Sequence, residues 1–192
     1  MNVFVLEEED MDRLTLLTNA VSSGDCVLTQ QWDCLWPEAN KIGREWFEKY
    51  WSETGTFQEQ VTETGVRKIR DMSMIEEKAW NARALYDPNR NEILINRFRL
   101  EEMEMLLRET FVTRFKEQDI YHCLVAHEVF HHLEETKEEP VTTILERQMG
   151  IPDVSPVFRD VAAHAFANCI CKASELKCQM LDIIWMEKFS KP

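Results

Sequence analysis

No unbroken apolar run in this chain approaches 18 residues, so its sequence predicts no membrane-spanning helix. Its 6 cysteines include no Cys-x-x-Cys pair. Cys169 and Cys171 would point about 200° apart on a helix, which does not suit a shared metal. Without a secretory context the thiols read as reduced, mostly core-filling side chains. The opening apolar stretch, Met1 to Leu6, is too short for a signal core and runs into Glu7-Glu8-Glu9-Asp10, so a cytoplasmic protein is expected. Positive charge is scarce: 22 Lys and Arg against 35 Asp and Glu leave a net charge of −13. That balance argues against nucleic acid as a partner, because affinity for phosphate backbones is built from Lys and Arg. It argues equally against an anionic membrane surface. It suits either plain solubility or attraction of a basic protein segment. Repeats, Gly/Ser linkers and low-complexity tracts are also missing. The 192 residues therefore read as one domain, 1–192, with a mainly helical part over 1–83 and a second part over 84–192. A hydrophobic content of 44%, with 6 Trp and 10 Phe, is ample for a core.

Helical spacing dominates what is present. Met11, Leu14, Leu17 and Val21 predict a helix over 8–22, closed by Ser23-Gly24-Asp25. Ile42, Trp46 and Tyr50 predict a second from Glu38 to Trp51, opening near Pro37. The aromatic set Trp32, Trp36, Trp46, Phe47, Tyr50 and Trp51 reads as packing between helices, with a substrate cleft as the alternative. Residues 52–70 are polar and mixed, and Val61 to Ile69 reads as an edge strand or loop. Met74 to Ala84 looks helical. Arg83 to Tyr86 and Glu92 to Asn96 read as a hairpin over a turn-rich loop. Helices follow over Leu100 to Phe115 and around Leu176, Met180, Ile183, Ile184 and Trp185.

The chemistry lies in His127-Glu128-Val129-Phe130-His131. On a helix, i and i+4 stand one above the other, so both imidazoles can reach one metal. That leaves room for a third ligand and a water, from which Glu128 can take a proton as general base. The apolar neighbours Cys123, Leu124, Val125, Ala126, Val129, Phe130 and Leu133 predict a mostly buried helix, in which unpaired histidines would be costly. A third histidine six residues after His131 would mark a metzincin, but Glu134 and Lys137 stand in that gap. Glu134 and Glu135 read as part of a solvated acidic tail that ends before Pro140. A later helix, with Ser155 as N-cap and Pro156 at its first position, offers two metal-capable side chains, Asp160 and His164. Either could meet the histidine pair. His122 lies off the metal face, and His164, Tyr121 and His132 are the candidate oxyanion donors. A closed site with four protein ligands would instead make the metal a structural staple or sensor centre in a non-catalytic, partner-binding protein.

The segment from about Ala84 to Ala167 resembles the ImmA/IrrE-type minimal zincin family. The resemblance is carried by the hairpin Tyr86 to Asn96, by Ala126-His127-Glu128, and by Phe166-Ala167 on the later helix. It implies a predominantly helical α+β fold, with a minimal zincin-like core and a small sheet or hairpin beside the active-site helix. It further implies a zinc-dependent (Zn2+) peptidase acting on a protein or peptide substrate, often a regulatory protein. Zinc would rest on His127, His131 and Asp160, with Glu128 catalytic. His164 would be an alternative ligand or would face the substrate or the ligands. The resemblance also gives strand 92–96 the task of holding extended substrate at a sheet edge. Three departures stand out: Phe130 replaces the family's glycine, Cys123-Leu124-Val125-Ala126 replaces Phe-Thr-Leu-Ala, and Asp160 replaces a glutamate.

Overall fold

Helix α1 (Leu28–Tyr50) is the longest element of the computed structural model, which describes residues 28–73, 75–76, 82–110, 117–171 and 177–189. It begins well before the start predicted at Pro37, which lies exposed within it. Interior proline costs about 3 kcal/mol through its missing N–H. The turns before Pro37 bury Trp32 and Leu35, each worth about 1.5–3 kcal/mol, so the extension outweighs the defect. Trp32, Leu35, Ala39, Ile42 and Trp46 form one buried stripe. The aromatic set is thus packing rather than cleft: Trp32, Trp46 and Trp51 are in the core, with Trp36, Phe47 and Tyr50 against it.

Helix α2 (Phe57–Glu63) falls where the sequence reads mixed polarity and takes up the start of the edge strand or loop expected over Val61 to Ile69, whose strand begins only at Lys68. Its signal is a capping box: Thr56 Oγ1 accepts from the Glu59 N–H, and the Glu59 carboxylate accepts from the Thr56 N–H. Strands β1 (Lys68–Asp71), β2 (Ala84–Asp87) and β3 (Glu92–Ile95) form one sheet in the order β1-β3-β2. The expected hairpin is present, antiparallel, with Tyr86 opposite Ile93. β1 joins β3 in parallel, Ile69 opposite Ile93. β3 is therefore the central strand, paired on both sides, and does not provide the free edge expected of 92–96. The edge strand beside the helix that carries His127 and His131 is β2.

Helices α3 (Arg97–Thr110), α4 (Glu117–Thr136), α5 (Val141–Met149), α6 (Val157–Ile170) and α7 (Cys178–Phe189) complete the described chain. α4 packs on the sheet through β2 and β3, and on α6, α3 and α7. α6 lies between α4 and α1. Its N-cap is Pro156, with no side-chain cap; the Ser155 carbonyl, not its hydroxyl, accepts from the Phe158 N–H. Alanines 162, 163, 165 and 167 are all buried, which lets the neighbouring helices approach closely. A Cβ built on Gly43 of α1 would lie 2.1 Å from the Ala162 carbonyl oxygen, so only glycine permits this crossing.

The fold is a predominantly helical α+β arrangement with a three-stranded sheet, and one buried cluster runs from Trp32 to Leu181. The predicted helix over 8–22 and most of that over 74–84 lie outside the described residues; residues 75–76 are helical and Ala84 opens β2. Among the described residues no helix is long and apolar enough to cross a membrane.

Candidate metal centre

His127 and His131 project from one face of α4 with their Nε2 atoms 3.1 Å apart. Asp160, in the first turn of α6, brings Oδ1 to 3.6 Å from His127 Nε2 and 3.5 Å from His131 Nε2. A tetrahedron with zinc–ligand bonds of about 2.0–2.2 Å has edges of about 3.3–3.6 Å. The three donor atoms already stand near that spacing, and two imidazoles with one carboxylate suit zinc. The donor set fits the metal.

The electrostatics of the trio reflect the same proximity. Burial alone would lower the His127 pKa, but hydrogen bonds to Asp160 and then Cys178 outweigh it and push the value up to about 10. His131 is raised as well, with burial opposed by contacts to Asp160 and Glu134. For Asp160, burial would raise the pKa, and the two rings hold it well below the usual carboxylate range. Asp160 keeps 52% of its side chain exposed, so solvent screens part of that attraction. The raised ring pKa values and the lowered carboxylate pKa share one cause, the close approach of Asp160 to the two rings.

Asp160 and His131 line an open cavity of about 300 Å3, shared with Glu128, Arg159 and Tyr86. The hairpin sets β2 against α4, and the Glu128 carboxylate accepts from the Tyr86 N–H at 2.8 Å. That bond occupies Oε2 and fixes the side chain on the cavity wall.

Glu134 overturns the solvated-tail reading. It is buried, accepting from Arg159 Nε at 2.7 Å and from the Val141 N–H at 2.8 Å. Its Oε2 also stands 3.4 Å from His131 Nδ1, where a carboxylate can orient the ring. Burial would raise its pKa, and contacts to His131, Arg159 and the Val141 N–H bring it below the usual value.

The proposed oxyanion donors fare poorly. His132 is buried, with Nδ1 3.0 Å from Tyr86 Oη and Nε2 3.3 Å from the Thr64 carbonyl, and it ties α4 to the hairpin and α2. Tyr121 packs on Phe57 under Arg97. His122 stacks on Phe57 at 3.9 Å, a packing role consistent with its place off the metal face. His164 does not join Asp160 and His131. It is buried with Nε2 2.8 Å from Asp182, its ring centroid 5.2 Å from that of His127.

Four residues at or near the centre escaped the sequence reading: Glu134, Arg159, Cys178 and Asp182. Cys178 and Asp182 repeat the i, i+4 spacing that singled out His127 and His131, and that was their one legible signal. The Cys178 thiol is held below its usual pKa by Cys123, against the effect of burial, and then by His127. For Asp182, burial would raise the pKa, while Arg83 and His164 hold it down. The chain matches no family model, no curated protein and no solved structure, so the chemistry of this centre is argued from its own residues.

Proposed function

We propose that this chain is a zinc-dependent peptidase of the minimal zincin kind, acting on a protein or peptide substrate in the cytoplasm. The observation that carries the reading is the convergence of His127, His131 and Asp160 within 3.6 Å, beside a cavity that His131 and Asp160 line together with Glu128. Among the described residues no further His, Cys, Asp or Glu joins that trio. A fourth corner is therefore left for water and substrate, as in catalytic rather than structural zinc sites. His164 as a fourth ligand would have favoured a structural staple, and its bond to Asp182 draws it elsewhere.

Bound there, zinc supplies Lewis acidity toward a carbonyl oxygen and makes water acidic enough to deprotonate near neutral pH. Glu128 would take a proton from the attacking water and return it to the leaving amine. The Tyr86 N–H holds Oε2, which leaves Oε1 to exchange the proton. Arg159 places a cation on the same cavity wall, steadied by Glu134, where charge develops on the scissile carbonyl. β2 is the sheet edge beside the cavity; its Tyr86 N–H is given to Glu128, so an extended peptide can add only to the other outward groups of that edge.

Glu128→Gln is expected to keep wild-type zinc content and to slow cleavage of a fluorogenic peptide library by about 10²–10⁴-fold. Asp160→Ala should lose the zinc of this trio and cleavage together, so that its zinc content falls by about one equivalent from the wild-type value. Undiminished cleavage by Glu128→Gln, or unchanged zinc content in Asp160→Ala, would overturn the assignment.

A further inference from the structure

The His127 ring has two nitrogens, and only one faces the trio. Nδ1 lies 3.9 Å from Sγ of Cys178, at the start of α7. One donor atom each from His127, His164 and Cys178 lie within 4.8 Å of one another. A separate cavity of about 150 Å3 opens beside them, lined by His127, Glu128, Cys178, Asp182, Arg83 and Leu124 among others. It is several times larger than the roughly 10–15 Å3 needed to seat one water. Asp182 stands 2.8 Å from His164 Nε2 and is ion-paired with Arg83. A carboxylate behind an imidazole, itself anchored, is how metal-ligating histidines are fixed in orientation.

The plain alternative is a core-filling thiol beside a satisfied histidine. A core-filling thiol needs neither two imidazoles at its side nor an adjoining cavity. The partly buried Arg83–Asp182 pair likewise holds the His164 ring in one orientation.

We propose that His127 Nδ1, His164 and Cys178 form a second metal site, selective for a thiophilic transition ion such as zinc(II). The donor set of two imidazoles and a thiolate suits zinc over magnesium or calcium, which take oxygen ligands. Its donor atoms are spread more widely than the 3.1–3.6 Å of the first trio, so side chains must draw in and this site fills second. With both sites filled, the His127 ring would be shared between them as an imidazolate, its two N–H protons and the Cys178 S–H proton released to solvent. The site shares His127 with the peptidase reading but uses different donor atoms, so the two can fail separately.

Cobalt(II) titration of the full chain tests this. A thiolate ligand gives cobalt(II) an intense near-ultraviolet charge-transfer band that a site of two histidines and an aspartate does not produce. The band is expected to grow with the second equivalent in the wild type, to persist in Asp160→Ala, and to vanish in Cys178→Ser. X-ray absorption at two zinc ions per wild-type chain, which needs no variant, should find sulfur in the average coordination shell. Absence of the band, its survival in Cys178→Ser, or a sulfur-free shell would overturn the second site. Loss of cleavage in Glu128→Gln bears only on the first.

Discussion

Glu134→Ala removes several supports at once, and their cost can be worked from the contacts. The side chain is 1% exposed and accepts from Arg159 Nε and Nη2 at 2.7 and 2.6 Å and from the Val141 N–H at 2.8 Å. Breaking a buried ion pair by deleting one partner costs about 3–5 kcal/mol. Arg159 is 34% exposed and keeps Glu135 at 3.5 Å, which puts the charge contribution at the lower end of that range. The abandoned Val141 N–H adds about 1 kcal/mol or more. A total of about 4 kcal/mol, at about 2–4 °C per kcal/mol for a chain of this size, lowers Tm by about 8–16 °C. Glu134→Gln keeps an acceptor for Val141 and should lose about half as much. The assay is thermal unfolding followed by circular dichroism with a chelator present, so that metal binding does not mask the loss. The sign with pH follows from the depressed Glu134 pKa: the stabilisation is present above the unfolded value near 4.5 and is lost as pH falls through the lower folded value. The gap between wild type and variant should therefore narrow in acid. A Tm change under about 3 °C at pH 7, where the gap is full, would refute the reasoning.

Gly43→Ala should destabilise by about 3 kcal/mol, because its Cβ meets backbone that cannot rotate away, and should weaken zinc binding by shifting α6 and Asp160. Unfolding in urea beside a zinc competition titration reads both effects, and a neutral substitution would show that the helices can part freely. Zinc must displace the proton that His127 holds up to about pH 10, so affinity should rise about tenfold per pH unit between pH 7 and 9. Calorimetry at pH 7.5 in buffers of different ionisation enthalpy should count about one proton or more released per zinc, against about 0.2 for two rings of ordinary pKa. A count near the lower figure would show that the trio does not hold His127 protonated.

What the sequence revealed was local. His127 and His131 are four residues apart, the hairpin strands are separated by a short turn-rich loop, and Asp160 follows a helix start within one turn. Each pattern is complete within a few residues. What it hid was distant. β1 is Lys68-Ile69-Arg70-Asp71, with a single apolar residue, and nothing in it announces a parallel partner for Ile93. Glu134 sits in an acidic run that reads as solvated, and its burial becomes intelligible only through Arg159, 25 residues later. Cys178 reaches His127 across 51 residues. Pro37 looked like a helix start because its missing N–H is a local fact, whereas the pocket that receives Trp32 belongs partly to Phe158, at a ring distance of 5.8 Å.

Two features that look unrelated in the sequence account for one another in the fold. Phe130 is a bulky residue directly before the ligand candidate His131, and the Trp-rich segment lies more than seventy residues before it. In the structure Phe130 stacks on Trp46 with centroids 4.6 Å apart and meets Phe166 edge-on at 5.8 Å. The bulky ring thus points from α4 into the layer of α1 and α6, not into the sheet, and there it fills volume between helices. Had the residue faced β2, a phenylalanine would have pushed the hairpin away and broken the Tyr86–Glu128 bond; that bond is intact at 2.8 Å. The Phe130 ring is therefore accommodated on the helical side by Trp46 of α1 and Phe166 of α6, and the approach of α4 to the sheet, which the Tyr86–Glu128 bond spans, is left undisturbed.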